Sequence, residues 1–368
     1  MDSVLYLILA FAFSACLTAV IIPKIILISY KKNLFDAVDD RKVHTGIVPR
    51  LGGVAFTPSL VMSMALVLGI YVLITGKSGL TTEQAAQLSL SLCALMLLYI
   101  EGISDDLIGM GYKAKFSCQF IAASMIVISG VWINDFNGFL GLHELAWYVG
   151  MPFTVVLLVF IINAINLIDG IDGLASGLCI VTLFFLGALL YSRGDVVPSI
   201  ISFAMLGALL PFFAFNVFGK VEHKKKIFMG DCGSQTVGIV LGMLAVRYTM
   251  SHETLDTDLP NVLVLAFSAI MIPSLDVIRV MMGRIRRGCN PFLPDNTHIH
   301  HKFLALGMSH RTAMVTILML DAFFMLLNLG MVNILDINLV FLIDVVLWIA
   351  MHMWMSKVIM VKQQRTSK

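Results

Sequence analysis

The feature that most constrains this chain is a succession of about eleven apolar runs, each roughly 17–25 residues long, the length at which a helix crosses a hydrocarbon core. They fall near residues 4–29, 54–75, 85–101, 116–133, 149–167, 174–191, 196–218, 233–250, 261–282, 312–332 and 338–356. Backbone N–H and C=O groups meet no water in a bilayer, so such runs must close their hydrogen bonds internally, as helices. Only 13% of the residues are charged, about half the share of a soluble domain. An all-α polytopic membrane protein is therefore expected, with one transmembrane domain spanning residues 1–368.

Orientation follows from the basic residues, which accumulate on the cytoplasmic side of membrane proteins. Alternate connections carry Lys31, Lys32, Arg41, Lys42 and Arg50, then Lys113 and Lys115, then Lys220 and Lys224 to Lys226, and then Arg279, Arg284, Arg286, Arg287, Lys302 and Arg311. The opposite connections hold little that is basic beyond Lys77 and Arg193. This places the N-terminus outside and the C-terminus in the cytoplasm. The first run lacks a basic leader and a small-residue cleavage site, and reads as a retained span. Cysteines at 16, 93, 118, 179, 232 and 289 show no metal-ligand spacing, and none lies in an outside connection, so neither disulfides nor a zinc knuckle is expected. No nucleic-acid partner is expected; the lipid bilayer is the obligatory one.

The acidic residues gather at span ends on the cytoplasmic side. A carboxylate beside hydrocarbon costs several kcal/mol (about 2.5–3.5 on insertion scales) unless it is paired or bound. Asp105 and Asp106 are adjacent, and neighbouring carboxylates stay ionised together only beside a cation; Lys113 and Lys115 follow within one short loop. Alone, this pair also reads as a solvated loop balanced by lysines. In Asn163-Ala-Ile-Asn166-Leu-Ile-Asp169-Gly-Ile-Asp172-Gly, polar residues recur at every third position, so that each adjoins the next on a helix. In Phe228-Met-Gly-Asp231-Cys-Gly-Ser234, Asp231 stands at a helix N-terminus, a place suited to phosphate and also to a simple N-cap. Near the end of the chain, His298, His300 and His301 with Lys302 suit phosphate recognition better than zinc, for which no Cys or acidic partner has convincing spacing. Arg41, Lys42, His44 and Arg50 form a basic patch that the positive-inside rule also explains. Asp276, Asp321 and Asp344 lie inside spans and receive no role.

Taken together and in order, RKxH…PRLGG, DD, NAxNxxDGxDGL, FMGDxGS and HxHH resemble the polyprenyl-phosphate N-acetylhexosamine-1-phosphate transferase superfamily, over nearly the whole chain. The HIHH form resembles its undecaprenyl-phosphate N-acetylglucosamine-1-phosphate transferase branch. The resemblance implies transfer of a sugar-1-phosphate from a UDP-N-acetylhexosamine to undecaprenyl phosphate, with Mg²⁺ as cofactor and Mn²⁺ as its alternative. A homodimer would fit. It further implies that Asp231 and Asp172 bind the metal, and that Asp105 orients or deprotonates the lipid phosphate with support from Asp106. Asn166, Asp169, Asn216 and Phe228 would hold the nucleotide, while Lys115, His298, His300, His301 and Arg50 would meet phosphate charge. Direct attack and an aspartyl-phosphate intermediate both remain open, with direct attack favoured because a phosphate monoester is already largely a dianion at pH 7.

Three positions depart from the pattern. No proline precedes Arg41, the segment Lys220–Lys226 lengthens the path from Asn216 to Asp231, and Asn296 stands where relatives often carry Arg. The competing class is an ion-coupled transporter, which should place its polar residues near the bilayer midplane around broken helices. Here they crowd one face.

Overall fold

The computed structural model describes residues 3–35, 48–77, 79–250, 262–289 and 297–366. Arg41, Lys42 and His44 of the basic patch, Asp36 to Asp40 before it, and Asp295 and Asn296 before the histidines lie outside the described residues. Among the described residues, thirteen α-helices carry the fold: α1 Ser3–Lys32, α2 Phe56–Thr75, α3 Thr82–Ile108, α4 Tyr112–Ile128, α5 Trp147–Ile168, α6 Leu174–Ser192, α7 Val196–Phe218, α8 Gly230–Thr249, α9 Val262–Ser268, α10 Met271–Arg286, α11 Ile299–Ala305, α12 His310–Met331 and α13 Ile337–Thr366. Among the described residues the only β pairing is a single bridge between Asp135 and Glu144.

Eight of these helices are long and apolar enough to cross a membrane, or nine if the bent pair α9–α10 counts as one crossing. The expectation of an all-helical integral membrane protein is met at this level. The number eleven also needs α4, with 17 residues, and α8, which are not among those eight.

α8 explains itself by position. It lies at the centre of the bundle, flanked chiefly by α3 and α5, with α6, α7 and α9 around it. Every side chain from Cys232 to Thr249 is buried. A helix enclosed by protein can carry Ser234, Gln235 and Thr236, because neighbouring helices satisfy them. Gln235 donates to Glu101 at 2.6 Å and accepts from Gln119 at 3.1 Å, and Gln119 in turn accepts from Asn163 at 2.7 Å. This polar chain ties α3, α4, α5 and α8 together. The periphery is the reverse: α13 leaves Leu342, Val346, Met353 and Trp354 exposed, an apolar surface that suits lipid.

The expected continuous span at 261–282 is corrected. The helix breaks between α9 and α10 with a bend of 76°. Proline has no N–H to give to the carbonyl four residues back, and for Pro273 that carbonyl belongs to Ala269. The Ala269 carbonyl instead accepts a hydrogen bond from the Thr182 hydroxyl at 2.6 Å. Elsewhere local signals act as the sequence suggests: Thr81 and Gln84 form a reciprocal capping box that starts α3, and Ser309 caps α12. All six cysteines are free thiols.

Candidate active site

The site forms where the end of α3 meets the start of α8. Gly230 opens α8 with a left-handed φ of 75°, and a Cβ there would collide with the Arg50 carbonyl and the Asp106 carboxylate. Only glycine fits such a turn. Just before it, Phe228 donates its N–H to the Pro49 carbonyl at 2.8 Å, while Gly52 and Gly53 donate to the carbonyls of Phe228 and Met229 at 2.9 and 2.8 Å. The Pro-Arg-Leu-Gly-Gly segment thereby clamps the Phe-Met-Gly-Asp segment along its backbone, and half-buried Phe228 stands at the rim.

Asp106 accepts the backbone N–H groups of Asp231 at 2.8 Å and Cys232 at 3.0 Å. It caps the first turn of α8 from another helix. The sequence leaves both a phosphate and a carboxylate cap open at this helix start; in the structure the Asp106 carboxylate holds two of its amides. Lys115, on the first turn of α4, reaches Asp105 at 2.9 Å and Asp231 at 2.5 Å. Asp105 also accepts the Met110 N–H at 2.6 Å, so both of its oxygens are held. Asn166 donates to Asp231 at 2.5 Å and to the Ser234 hydroxyl at 2.8 Å. Its amide nitrogen orients Asp231.

The loop after α5 completes this end. Asp169 is exposed, and the charge of Arg50 acts on both Asp169 and Asp106. Asp172 forms an ion pair with Lys226. Asn216 is buried, accepting from the Gly173 N–H at 2.6 Å and donating to the Ile227 carbonyl at 2.8 Å. Both ends of the Asn216 amide clip the Asp172 loop to the segment entering α8.

The histidine segment docks against the same loop. Buried Asp276 on α10 accepts from His298 Nδ1 at 2.9 Å and from the Ile299 N–H at 3.0 Å, and pairs with Arg279 at 2.7 Å. One carboxylate thereby sets the His298 ring and starts α11. The His298 and His300 rings lie nearly parallel with centroids 6.0 Å apart, and His301 adjoins His300 at 4.2 Å. A Cβ on Gly170 would strike the His300 ring, so that glycine permits the contact between the Asp169–Asp172 loop and the histidines. Burial, reinforced by the neighbouring His301 and His298, pushes the His300 pKa down to about 3. Burial thus favours the neutral His300 ring, which can contribute a hydrogen bond.

Two participants escaped the sequence reading. Lys226 looked like one of a run of loop lysines, and its place beside the Phe-Met-Gly-Asp segment was the available signal. Asp276 was unassigned; an acid within an apolar run, 22 residues before the histidine it holds, gave no pairing by itself.

Among the described residues, no three His, Cys, Asp or Glu side chains form a ready metal cage. Mg²⁺ does not need one, since it is commonly held by one or two carboxylates with waters and substrate phosphates. The donors here are hard oxygens, and Lys115 already stands as a counter-ion between Asp105 and Asp231. Both Lys115 and Asn166 bond Oδ1 of Asp231, and the second oxygen takes no part in those two bonds. The residues present fit such an ion.

Fold and site together define a helical integral membrane protein with an acidic, lysine-bridged centre at one end of its bundle. The model for glycosyl transferase family 4 matches residues 87–249, the stretch from α3 through α8 that contains every carboxylate of this centre. A probable undecaprenyl-phosphate N-acetylglucosaminyl 1-phosphate transferase of Bacillus subtilis is 31% identical over 325 residues, covering 88% of this chain and 84% of that protein. The undecaprenyl-phosphate alpha-N-acetylglucosaminyl 1-phosphate transferase of Yersinia pestis is 30% identical over 79% of this chain and 74% of its own length. A decaprenyl-phosphate N-acetylglucosaminephosphotransferase of Mycolicibacterium smegmatis is 33% identical, over 76% of this chain and 70% of its own length. The chain belongs to glycosyl transferase family 4.

Proposed function

We propose that this protein transfers N-acetylglucosamine-1-phosphate from UDP-N-acetylglucosamine to undecaprenyl phosphate at the cytoplasmic face of a bacterial inner membrane. The observation that carries the proposal is the bridge from Asp105 through Lys115 to Asp231, with the Asp172 loop and the histidines docked at the same end. Two anionic phosphates have to approach each other for this reaction, and phosphoryl transfer depends mainly on positioning and charge stabilisation.

An oxygen of the lipid phosphate attacks the sugar-bearing phosphorus of the donor. The bond from that phosphorus to the bridging oxygen breaks, and UMP leaves with the bridging oxygen. The products are undecaprenyl-diphospho-N-acetylglucosamine and UMP. Asp231 and Asp172 would hold Mg²⁺, which when bound supplies charge neutralisation on the donor diphosphate. Lys115 and Lys226, which brace those carboxylates, are the cations set to meet phosphate oxygens. Asp105, held at both oxygens, acts as an orienting charge; this favours direct attack over a covalent aspartyl-phosphate. Asp106 maintains the turn that aims Asp231. Asp169, Phe228 and Arg50 line the side from which a nucleotide enters, and His298 and His301 the phosphate side.

The test is incubation of the purified protein with undecaprenyl phosphate, Mg²⁺ or Mn²⁺, and a panel of UDP-sugars, measuring UMP and the mass of the lipid product. UMP release that needs both lipid and metal, greatest with UDP-N-acetylglucosamine, is the expected result. Preference for another UDP-N-acetylhexosamine would reassign the sugar, and no UMP from folded protein would end the proposal.

A further inference from the structure

The far end of the bundle holds a second feature that the transfer reaction does not use. An apolar groove of about 230 Å³ runs between α2 and α3 and is floored by α4, α7 and α8, with Leu60, Met64, Ala65, Leu92, Leu95 and Val240 among its walls. An apolar cavity of about 150 Å³ already stays dry and takes up a benzene-sized molecule, so this groove has room for a stretch of hydrocarbon chain. Leu88, Ser91, Ile201 and Met243 line it and also line an adjoining polar pocket, so the two are continuous. That pocket contains Gln84, Gln87, Asp195 and Arg247.

Arg247 makes the pocket a built site. It is 9% exposed and gives Nε to Asp195 at 2.6 Å. Its Nη1 is buried with no acceptor among the described residues. A buried guanidinium donor without a partner is costly, of the order of 1–3 kcal/mol, and asks for an oxygen acceptor. Gln84 gives its carbonyl oxygen to the Thr81 N–H in the capping box, so what it can offer the pocket is its NH₂. Gln87 is bonded to Glu83 at 2.9 Å, and Arg193 stands near Arg247 over the Tyr248 ring. Arg247 and the two glutamines thus bring donors to the pocket, beside the Asp195 carboxylate.

Between the groove and the active site, α3 meets the segment that leads into α2. Tyr99 on α3 donates its hydroxyl to the Val54 carbonyl at 3.2 Å, and fully buried Phe56 and Leu98 fill the space beneath it. Along α8, Asp231 and Arg247 are about 24 Å apart at 1.5 Å per residue, close to the depth of a hydrocarbon core. The polar pocket thus lies at the interface opposite the active site, and the groove leads from it into the membrane interior.

We propose that this groove and pocket bind one phospholipid of the leaflet opposite the active site. Its phosphate or ester oxygens accept from Arg247 Nη1 and Gln84, and one acyl chain lies between α2 and α3. A polyprenyl chain is the competing occupant. The site adds a structural lipid, held apart from the acceptor substrate.

The experiment uses the wild-type protein in nanodiscs of phosphatidylethanolamine and phosphatidylglycerol doped with a phospholipid that carries a diazirine midway along one acyl chain. After irradiation, adducts should concentrate on the α2 and α3 peptides holding Met64, Ala65 and Leu92, by about tenfold over α13, as expected when two buried methylenes decide occupancy. Ala65→Phe, which fills the groove, and the paired variant Arg247→Gln with Asp195→Asn, which removes the donor without stranding a charge, should each reduce those adducts by a similar factor. Adducts spread evenly over all lipid-facing helices in the wild type would overturn the proposal. So would equal labelling in both variants, or loss of the adducts on adding unlabelled undecaprenyl phosphate, which would give the groove to the acceptor chain.

Discussion

The two ends of α8 carry charge in opposite ways. At its C-terminal end Arg247 is paired with Asp195, and both are nearly buried, at 9% and 7% exposure. Arg193 lies over the Tyr248 ring at 5.0 Å and donates to the Tyr248 carbonyl. At its N-terminal end Asp106 caps the helix, and Asp105 and Asp231 share Lys115 with side chains 11% and 26% exposed. Both ends obey the helix dipole, which favours anions at the start and cations at the end. Among the described residues, the N-terminal end gathers Asp105, Asp106 and Asp231 around Lys115, with Asp169, Asp172, Arg50 and Lys226 close by. A partly exposed cluster of carboxylates and cations marks the candidate reactive end, and the compact pair at the other end shows what a structural ion pair looks like in the same helix.

The comparison breaks most visibly at Asp231. Asp231→Asn should lower UMP release by about 10³-fold, the scale of losing a principal electrostatic contact, at every Mg²⁺ concentration, with helical content and membrane insertion retained. Near-normal turnover would remove Asp231 from the reaction. At the opposite end Asp195→Asn leaves the buried Arg247 uncompensated, and should cost about 3–5 kcal/mol of stability. Thermal unfolding in detergent would report it, while turnover per folded molecule should stay close to wild type. A large loss of turnover without loss of stability would mean that the two ends do not divide structure from chemistry.

A smaller effect is expected at Asp276→Asn, which weakens the anchor of His298 and of the start of α11. The KM for the UDP-sugar should rise by about tenfold, corresponding to a charge-assisted hydrogen bond of about 1.4 kcal/mol, with kcat changed less. An equal fall in kcat at unchanged KM would place the histidines on the reacting phosphorus. The last effect, absent at neutral pH, concerns His300. Its pKa of about 3 in the fold lies below the ordinary 6.5, so the unfolded chain binds the proton more readily. His300 imposes no penalty above pH 6.5; as pH falls from there toward about 3, it should progressively destabilise the fold. Comparing unfolding of His300→Gln with wild type across that window should show a shallower acid decline in the variant. Parallel curves would mean that His300 is not held neutral.

Much of the site was legible from residue identity. Asp105, Asp106, Asp169, Asp172 and Asp231 stand at span ends because ionised side chains are excluded from hydrocarbon, a constraint that acts on the chain one segment at a time. What each of them does was not legible. Asp106 is a helix cap, Asn166 an orienting donor and Asn216 an internal clip because of what α8, Gly173 and Ile227 present to them across 125, 65 and 43 residues of chain. Spacing along a helix says nothing about such partners.

Apolar run length and backbone hydrogen bonding dictate helices in a bilayer, and the segregation of basic and acidic residues dictates at which ends chemistry can occur. Those properties belong to the sequence alone. Which helix lies at the centre, which carbonyl Thr182 rescues at the Pro273 break, and whether a carboxylate becomes cap, bridge or reactive group were decided only by tertiary packing. Pairing energies depend on distance and local dielectric, and both exist only after the helices have assembled.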